Sequence, residues 1–180
     1  MSRRFRPTDA FVDESIRGQR YLMDCVLIEA RHLADVRPAV AALGIDGTRV
    51  HFNNESNRQK TRVLSTIASM PLRAIVTICY RDHGVTEYRA RADCLTALVT
   101  ELQQRAVGRL VIESRQDDHE DELLIRRVRA NGPQLVFEHR LGVGEPLLWV
   151  ADALTWAVGA DHRWRVQVDQ LLDTVIELRP

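Results

Sequence analysis

An α/β fold, a mixed sheet flanked by helices, is predicted by three features of the chain. Two extended apolar segments separated by a short turn containing Gly18 open it, and strand-like and helix-like segments alternate afterwards. No repeat, linker or low-complexity stretch interrupts the pattern. At 180 residues, 45% hydrophobic and 28% charged, the chain is expected to form one domain over 1–180 with a substantial core.

The first strand is predicted over Ala10–Ser15, and Ile16–Gln19 turns into a long apolar strand, Arg20–Glu29. Arg31–Leu43 carries Leu33, Val36, Val40 and Leu43 at helical spacing, and Gly44 stops it. Arg49–Phe52 reads as a short extended piece. A helix follows from Glu55 or Arg58 to Ser69, its buried stripe carried by Val63, Leu64 and Ile67, and Pro71 ends it. Leu72–Tyr80 is β-branched and aromatic, as an interior strand requires. Asp82-His-Gly breaks it, and Thr86–Ala106 forms the longest helix.

Arg109–Ser114 is a further short buried strand. The acidic stretch from Gln116 to Glu122 opens a helix through Arg129, with acids at its positive end and arginines at its negative end. Leu135–His139 is extended, and the loop Gly142-Val-Gly-Glu leads into an apolar helix, Pro146–Val158. A final helix is expected over Trp164–Ile176. Its apolar Val166, Leu171, Leu172 and Val175 could pack against a second copy, making a homodimer possible.

The zero formal net charge argues against a general electrostatic grip on nucleic acid, but leaves room for a local basic surface. Lys60 is the only lysine. The remaining cations are arginines, whose planar fork suits phosphate. Cys25, Cys79 and Cys94 are widely spaced in apolar stretches, which reads as buried thiols rather than a disulfide framework or zinc site. Met1–Arg6 is basic and is followed by Pro7-Thr-Asp rather than an apolar leader core, and no run approaches the ~18 apolar residues of a membrane span. A cytoplasmic protein with no membrane contact is the expectation.

Three acids lie where an ionised carboxylate is costly to hold. Asp152 sits in the apolar helix Pro146–Val158, Asp13 in Ala10–Ser15 and Glu113 in Arg109–Ser114. Asp13 and Glu113 are expected near the carboxyl ends of their strands, where sites of open α/β sheets gather. Carboxylates converging from distant segments suit Mg²⁺ or Mn²⁺, hard cations that prefer oxygen and can drive phosphodiester hydrolysis. Taken singly, Asp13 and Glu113 are equally well explained by a salt bridge to one of the many arginines, and Asp152, where burial is most costly, less well.

Phe-Val-Asp-Glu-Ser at 11–15, Val-His-Phe at 50–52, Val-Ile-Glu-Ser at 111–114 and Pro-Leu-Leu-Trp-Val-Ala-Asp-Ala-Leu at 146–154 resemble an uncharacterised family of ribonuclease H-like proteins. The resemblance covers most of the chain in order. It implies a ribonuclease H-like mixed sheet and a nuclease-like hydrolase acting on nucleic acid. Asp13 would be the central metal-bridging acid, Glu113 the second strand ligand, Asp152 the helix ligand and Glu55 a weaker fourth metal ligand. Ile16 stands where that family has glycine, and Trp149-Val150 replaces its glutamine region.

Further candidates are His51 beside Glu55, Asp117 after Glu113, and Asp82-His83. Arg58, Lys60 and Arg62 could meet phosphates. Arg126, Arg127 and Arg129 are more simply partners of the acids one turn earlier, and Trp156 and Trp164 packing residues. Two other functions stay open: a catalytically silent interaction module, and a metal-dependent phosphatase acting on small nucleotides.

Overall fold

The computed structural model of the protein describes residues 5–44, 52–115, 118–129, 132 and 134–179. β1 (Asp9–Arg17) and β2 (Arg20–Ile28) form an antiparallel hairpin in unbroken register from Asp9↔Ile28 to Arg17↔Arg20. Gly18 begins the two-residue turn at φ +58°, a conformation that glycine adopts without the clash a Cβ introduces. β3 (Arg73–Tyr80) pairs antiparallel with β2. β4 (Arg109–Glu113), β5 (Val136–Arg140) and β6 (Leu172–Leu178) run parallel to β1, β4 and β3 respectively, giving the order β5-β4-β1-β2-β3-β6.

The connecting helices are α1 (Ala30–Ala41), α2 (Asn57–Ala68), α3 (Glu87–Gln104), α4 (Asp118–Val128), α5 (Pro146–Gly159) and the single-turn α6 (His162–Arg165). Strand alternation sorts them into two layers. Phe11, Leu22, Val26, Val76 and Val111 face α1, α2 and α5, whereas Val12, Met23, Cys25, Ile75 and Ile112 face α3 and α4. Ser56 caps α2 and Thr86 caps α3, each hydroxyl accepting from the backbone N–H three residues on.

The apolar α5 lies over β1 and β2, with Pro146 in its first turn and Glu145 as its cap. Eleven of its 14 residues are buried, whereas Asp152, Trp156 and Ala160 form a half-buried stripe at four-residue spacing. Asp152 is therefore half-buried rather than enclosed in the apolar interior that the sequence suggested.

Three expectations are corrected. The final helix is absent: 162–165 make one turn, and Leu172–Leu178 is an edge strand beside β3. Consecutive β-branched Thr174-Val175-Ile176 favours that strand, and its alternating burial sends Ile176 and Leu178 into the α3 side of the core. The apolar helix face proposed for a homodimer is thus not formed. β1 continues to Arg17 because the turn is only two residues long, so Asp13 lies mid-strand rather than near a strand end. Of the extended piece expected over Arg49–Phe52, only Phe52 is described, and it begins a 3₁₀ turn, Phe52–Asn54. Among the described residues, no helix is long and apolar enough to cross a membrane.

Candidate functional site

Strand register builds a row of acids on the α5 side of the sheet. Asp13 pairs directly with Asp24 of β2; Asp13 lies two residues after Phe11, and Asp24 lies between Leu22 and Val26, all on the same face. Val12 pairs with Ile112, so Glu113, two residues after inward Val111, comes next to Asp13 on that face, and Arg140 of β5 is its own partner. From α5, the Thr155 hydroxyl lies 3.5 Å from the Asp13 carbonyl oxygen, and Asp152 stands one turn earlier. The Phe52 N–H donates to Asp152 Oδ2 at 3.3 Å.

The row is electrostatically crowded. Asp13 is 5% exposed, and its carboxyl is pushed up to about 7, first by burial and then by the charges of Glu113 and Asp152. The Glu14 N–H, 2.8 Å from Oδ1, and the Arg115 guanidinium work the other way. Glu113 and Asp152 therefore each act on Asp13. Asp24 is fully buried; burial and then the Asp13 charge push it up to about 8, against the positive charge of Arg165. Thr155 gives its one hydroxyl proton to the Ala151 carbonyl at 2.7 Å, and neither Asp24 oxygen has a hydrogen-bond partner among the described residues.

Arg115 closes the solvent side. Its guanidinium reaches Asp13 Oδ1 and Glu14 Oε1, each at 3.1 Å, and donates to the Glu14 carbonyl at 3.4 Å. Glu14 points to the opposite face of the sheet, where buried Arg91 also holds it at 3.0 Å. Arg91 in turn makes a two-pronged pair with buried Asp121, and His139 Nε2 lies 3.2 Å from Asp121. Burial lowers the His139 pKa. Glu145, read from sequence only as part of a loop, is a buried anchor: Arg37 donates to both its oxygens at 3.1 and 3.0 Å, and the Leu147 N–H caps onto it.

The secondary candidates fall elsewhere. Glu55 is half-buried, acts electrostatically on Lys60 and is not among the charges bearing on Asp13. Lys60 is buried, 4.3 Å above the Trp156 ring, and donates to the Asn53 carbonyl. Arg58 and Arg62 are exposed on α2. Trp156 meets Phe52 and Trp164 edge-on at 5.2 Å, which is packing. Arg126 and Arg129 lie over Phe137, and Asp82 begins a 3₁₀ turn after β3. His51 and Asp117 lie outside the described residues. The three cysteines are buried and free.

As donors, the row fits a hard divalent cation in kind: carboxylate oxygens, two of them without a hydrogen-bond partner on Asp24, with ionisation of Asp13 opposed first by burial and then by Glu113 and Asp152. As spaced, it does not close on one, since no three His, Cys, Asp or Glu among the described residues stand near enough to hold an ion. Asp24 escaped the sequence reading although Tyr-Leu-Met-Asp-Cys-Val-Leu-Ile at 21–28 surrounds it with apolar residues as fully as Asp152 is surrounded.

No family model matches the chain, and no curated protein matches it. Solved structures do. Ribonuclease HII of Archaeoglobus fulgidus, in its complex with PCNA, is 13% identical with a TM-score of 0.55, over 82% of this chain and 69% of that one. Ribonuclease H2 of Pyrococcus horikoshii is 15% identical with a TM-score of 0.57, over 82% and 70%. At this identity the likeness is one of architecture, and the mixed six-stranded sheet with its two helical layers is a ribonuclease H-like α/β fold.

Proposed function

We propose that the protein is a metal-dependent, nuclease-like phosphodiester hydrolase in which Asp13, Glu113 and Asp152 hold Mg²⁺ or Mn²⁺. The observation that carries this reading is the mutual repulsion at Asp13, where Glu113 and Asp152 both act against its ionisation inside a buried site. A bound divalent ion supplies Lewis acidity toward a phosphate oxygen and a water nucleophile at neutral pH. When a divalent ion is bound, Asp13, at the middle of the row, would hold it together with Glu113 from β4 and Asp152 from α5. The Phe52 N–H orients Asp152 by donating to one oxygen. Glu55, whose charge acts on Lys60, is the weaker fourth candidate.

Nucleic acid is the proposed substrate, and RNA the first strand to test, because both structural neighbours are ribonucleases. The test is cleavage of end-labelled RNA, DNA and hybrid duplex by the full chain with Mg²⁺ or Mn²⁺. Wild type should cut at least one of them, and Asp13→Asn and Asp152→Asn should each lose on the order of a hundredfold in rate with unchanged circular dichroism. Cleavage at the wild-type rate by Asp13→Asn would remove the reading.

One observation favours a second reading, a ribonuclease H-like interaction module without catalysis: Asp13 already has a cation, Arg115, at 3.1 Å. That reading gains if saturating Mn²⁺ gives no binding heat with the wild-type chain.

A further inference from the structure

We propose that Arg17, Arg20 and Arg179, brought into one row by strand register, form a strip that binds the phosphates of a nucleic-acid strand. The proposal rests on nucleic acid being the substrate and involves no metal.

The row lies at the hairpin end of the sheet. Arg17 pairs with Arg20 across the β1–β2 turn, and Arg20 pairs with Tyr80 of β3. One residue beyond the pair Cys79↔Leu178, the Arg179 guanidinium lies 4.2 Å from the centre of the Tyr80 ring. The row faces α5. Arg17 lies 5.9 Å from the Trp156 ring, and a Cβ on Gly159 would come within 2.9 Å of its Cγ. Arg20 donates to the Gly159 carbonyl at 3.1 Å, and Tyr80 packs on the core beneath α5. Adjacent strands are about 4.8 Å apart, so the row crosses roughly 14 Å from β1 to β6, room for more than one phosphate.

The charge of this row is not balanced from within. Like charges directly opposed in an antiparallel pair are destabilising, and Arg17↔Arg20 is such a pair. Among the described residues, Arg17 meets the Trp156 ring, Arg20 a carbonyl and Arg179 the Tyr80 ring, and none of the three is paired with an acid. Arg17 Nε is buried without a hydrogen-bond partner among them. Elsewhere the arginines are matched: Arg37, Arg91, Arg105 and Arg109 are each held by a carboxylate. The acids beside α6 are engaged as well, Asp161 by Arg163 and Asp169 by Arg165. The carboxyl end of α5 offers about half a negative charge, against three full positive ones.

Phosphodiesters supply what is missing. A guanidinium binds phosphate in a two-pronged way, and stacking on Tyr80 fixes the plane of one of the three. A row suits a polymer whose charges repeat, and contacts to phosphate position a strand without reading its sequence. Arg17 stands four residues beyond Asp13 on the same face of β1, about 14 Å along it, so the row and the acids can meet one strand.

Binding of a labelled single-stranded RNA to the full chain, followed by fluorescence anisotropy in EDTA, tests the strip apart from cleavage. Each phosphate contact contributes about 0.7 to the slope of log Kd against log salt. Arg17→Gln and Arg179→Gln should each weaken binding and lower that slope by about 0.7. Arg127→Gln, which removes an exposed arginine of α4 in the other helical layer, should leave it unchanged. Equal slopes in all four chains, or equal losses in all three variants, overturn the strip, while the nuclease reading is decided separately by cleavage with Mg²⁺ or Mn²⁺. Absence of RNA binding by wild type overturns the strip too. Displacement of the RNA by inorganic phosphate at matched ionic strength would assign the row to a small anion and overturn its role in holding a strand. Should Arg17→Gln not fold, Arg179→Gln decides alone, and an unchanged slope in that variant overturns the proposal.

Discussion

Asp13 and Asp24 face each other across the β1–β2 ladder beneath α5, and the Asp13 charge hinders the ionisation of Asp24. Directly opposed residues of an antiparallel pair have Cβ atoms about 5 Å apart, too near for two buried carboxylates to be charged without compensation.

A pH dependence follows. Asp24 rises from an unfolded value of ~3.9 to about 8, so the folded chain binds the proton more tightly than the unfolded chain between those values. Its contribution is complete below pH ~4 and is lost progressively as pH rises to about 8; Asp13 acts in the same sense up to about 7. Metal-free wild type should therefore lose stability between pH 5 and 8. Asp24→Asn, which buries an amide at a pH-independent penalty, should flatten that slope by on the order of a few kcal/mol. Urea unfolding at three pH values measures it, and parallel profiles for the two chains would refute the buried-acid account.

Glu145 should matter for stability and not for metal. Its carboxylate joins α1 to the start of α5 through Arg37 and caps α5 at Leu147. Glu145→Gln should lose about 2 kcal/mol, because Arg37 is a third exposed and regains water. Chemical denaturation reads the loss, and Mn²⁺ affinity should stay within twofold or so of wild type. A large change in that affinity would mean that α5 carries Asp152 less rigidly than its packing indicates.

The hairpin turn gives a backbone test. Gly18 at φ +58° has open space around a notional Cβ, so strain rather than collision governs substitution. Gly18→Ala should destabilise by about 1 kcal/mol and Gly18→Asn by less, as thermal melts would report. Equal effects of the two would point to a loss of contacts instead.

Much of this was legible in the sequence because burial dominates the relevant elements. The hairpin, the strands around Val76 and Val111 and the helix carrying Leu95 and Leu98 follow from apolar period and composition. The last strand did not, since Leu171, Leu172 and Val175 satisfy a helical spacing while Thr174-Val175-Ile176 decides for extension through β3. At the site, the segments bearing Asp13, Glu113 and Asp152 were readable, but their surroundings were not. Asp24 becomes the neighbour of Asp13 only through register, and Arg115 reaches it only because β4 ends two residues short of it. Asp152 looked deeply buried because its apolar neighbours hide the fact that one stripe of the helix is only half-buried.

The most direct measurement is the anomalous scattering of Mn²⁺ soaked into crystals of the protein. A peak bonded to the Asp13 carboxylate and to Glu113 or Asp152 is the expected result. No peak there at saturating Mn²⁺ would contradict the account.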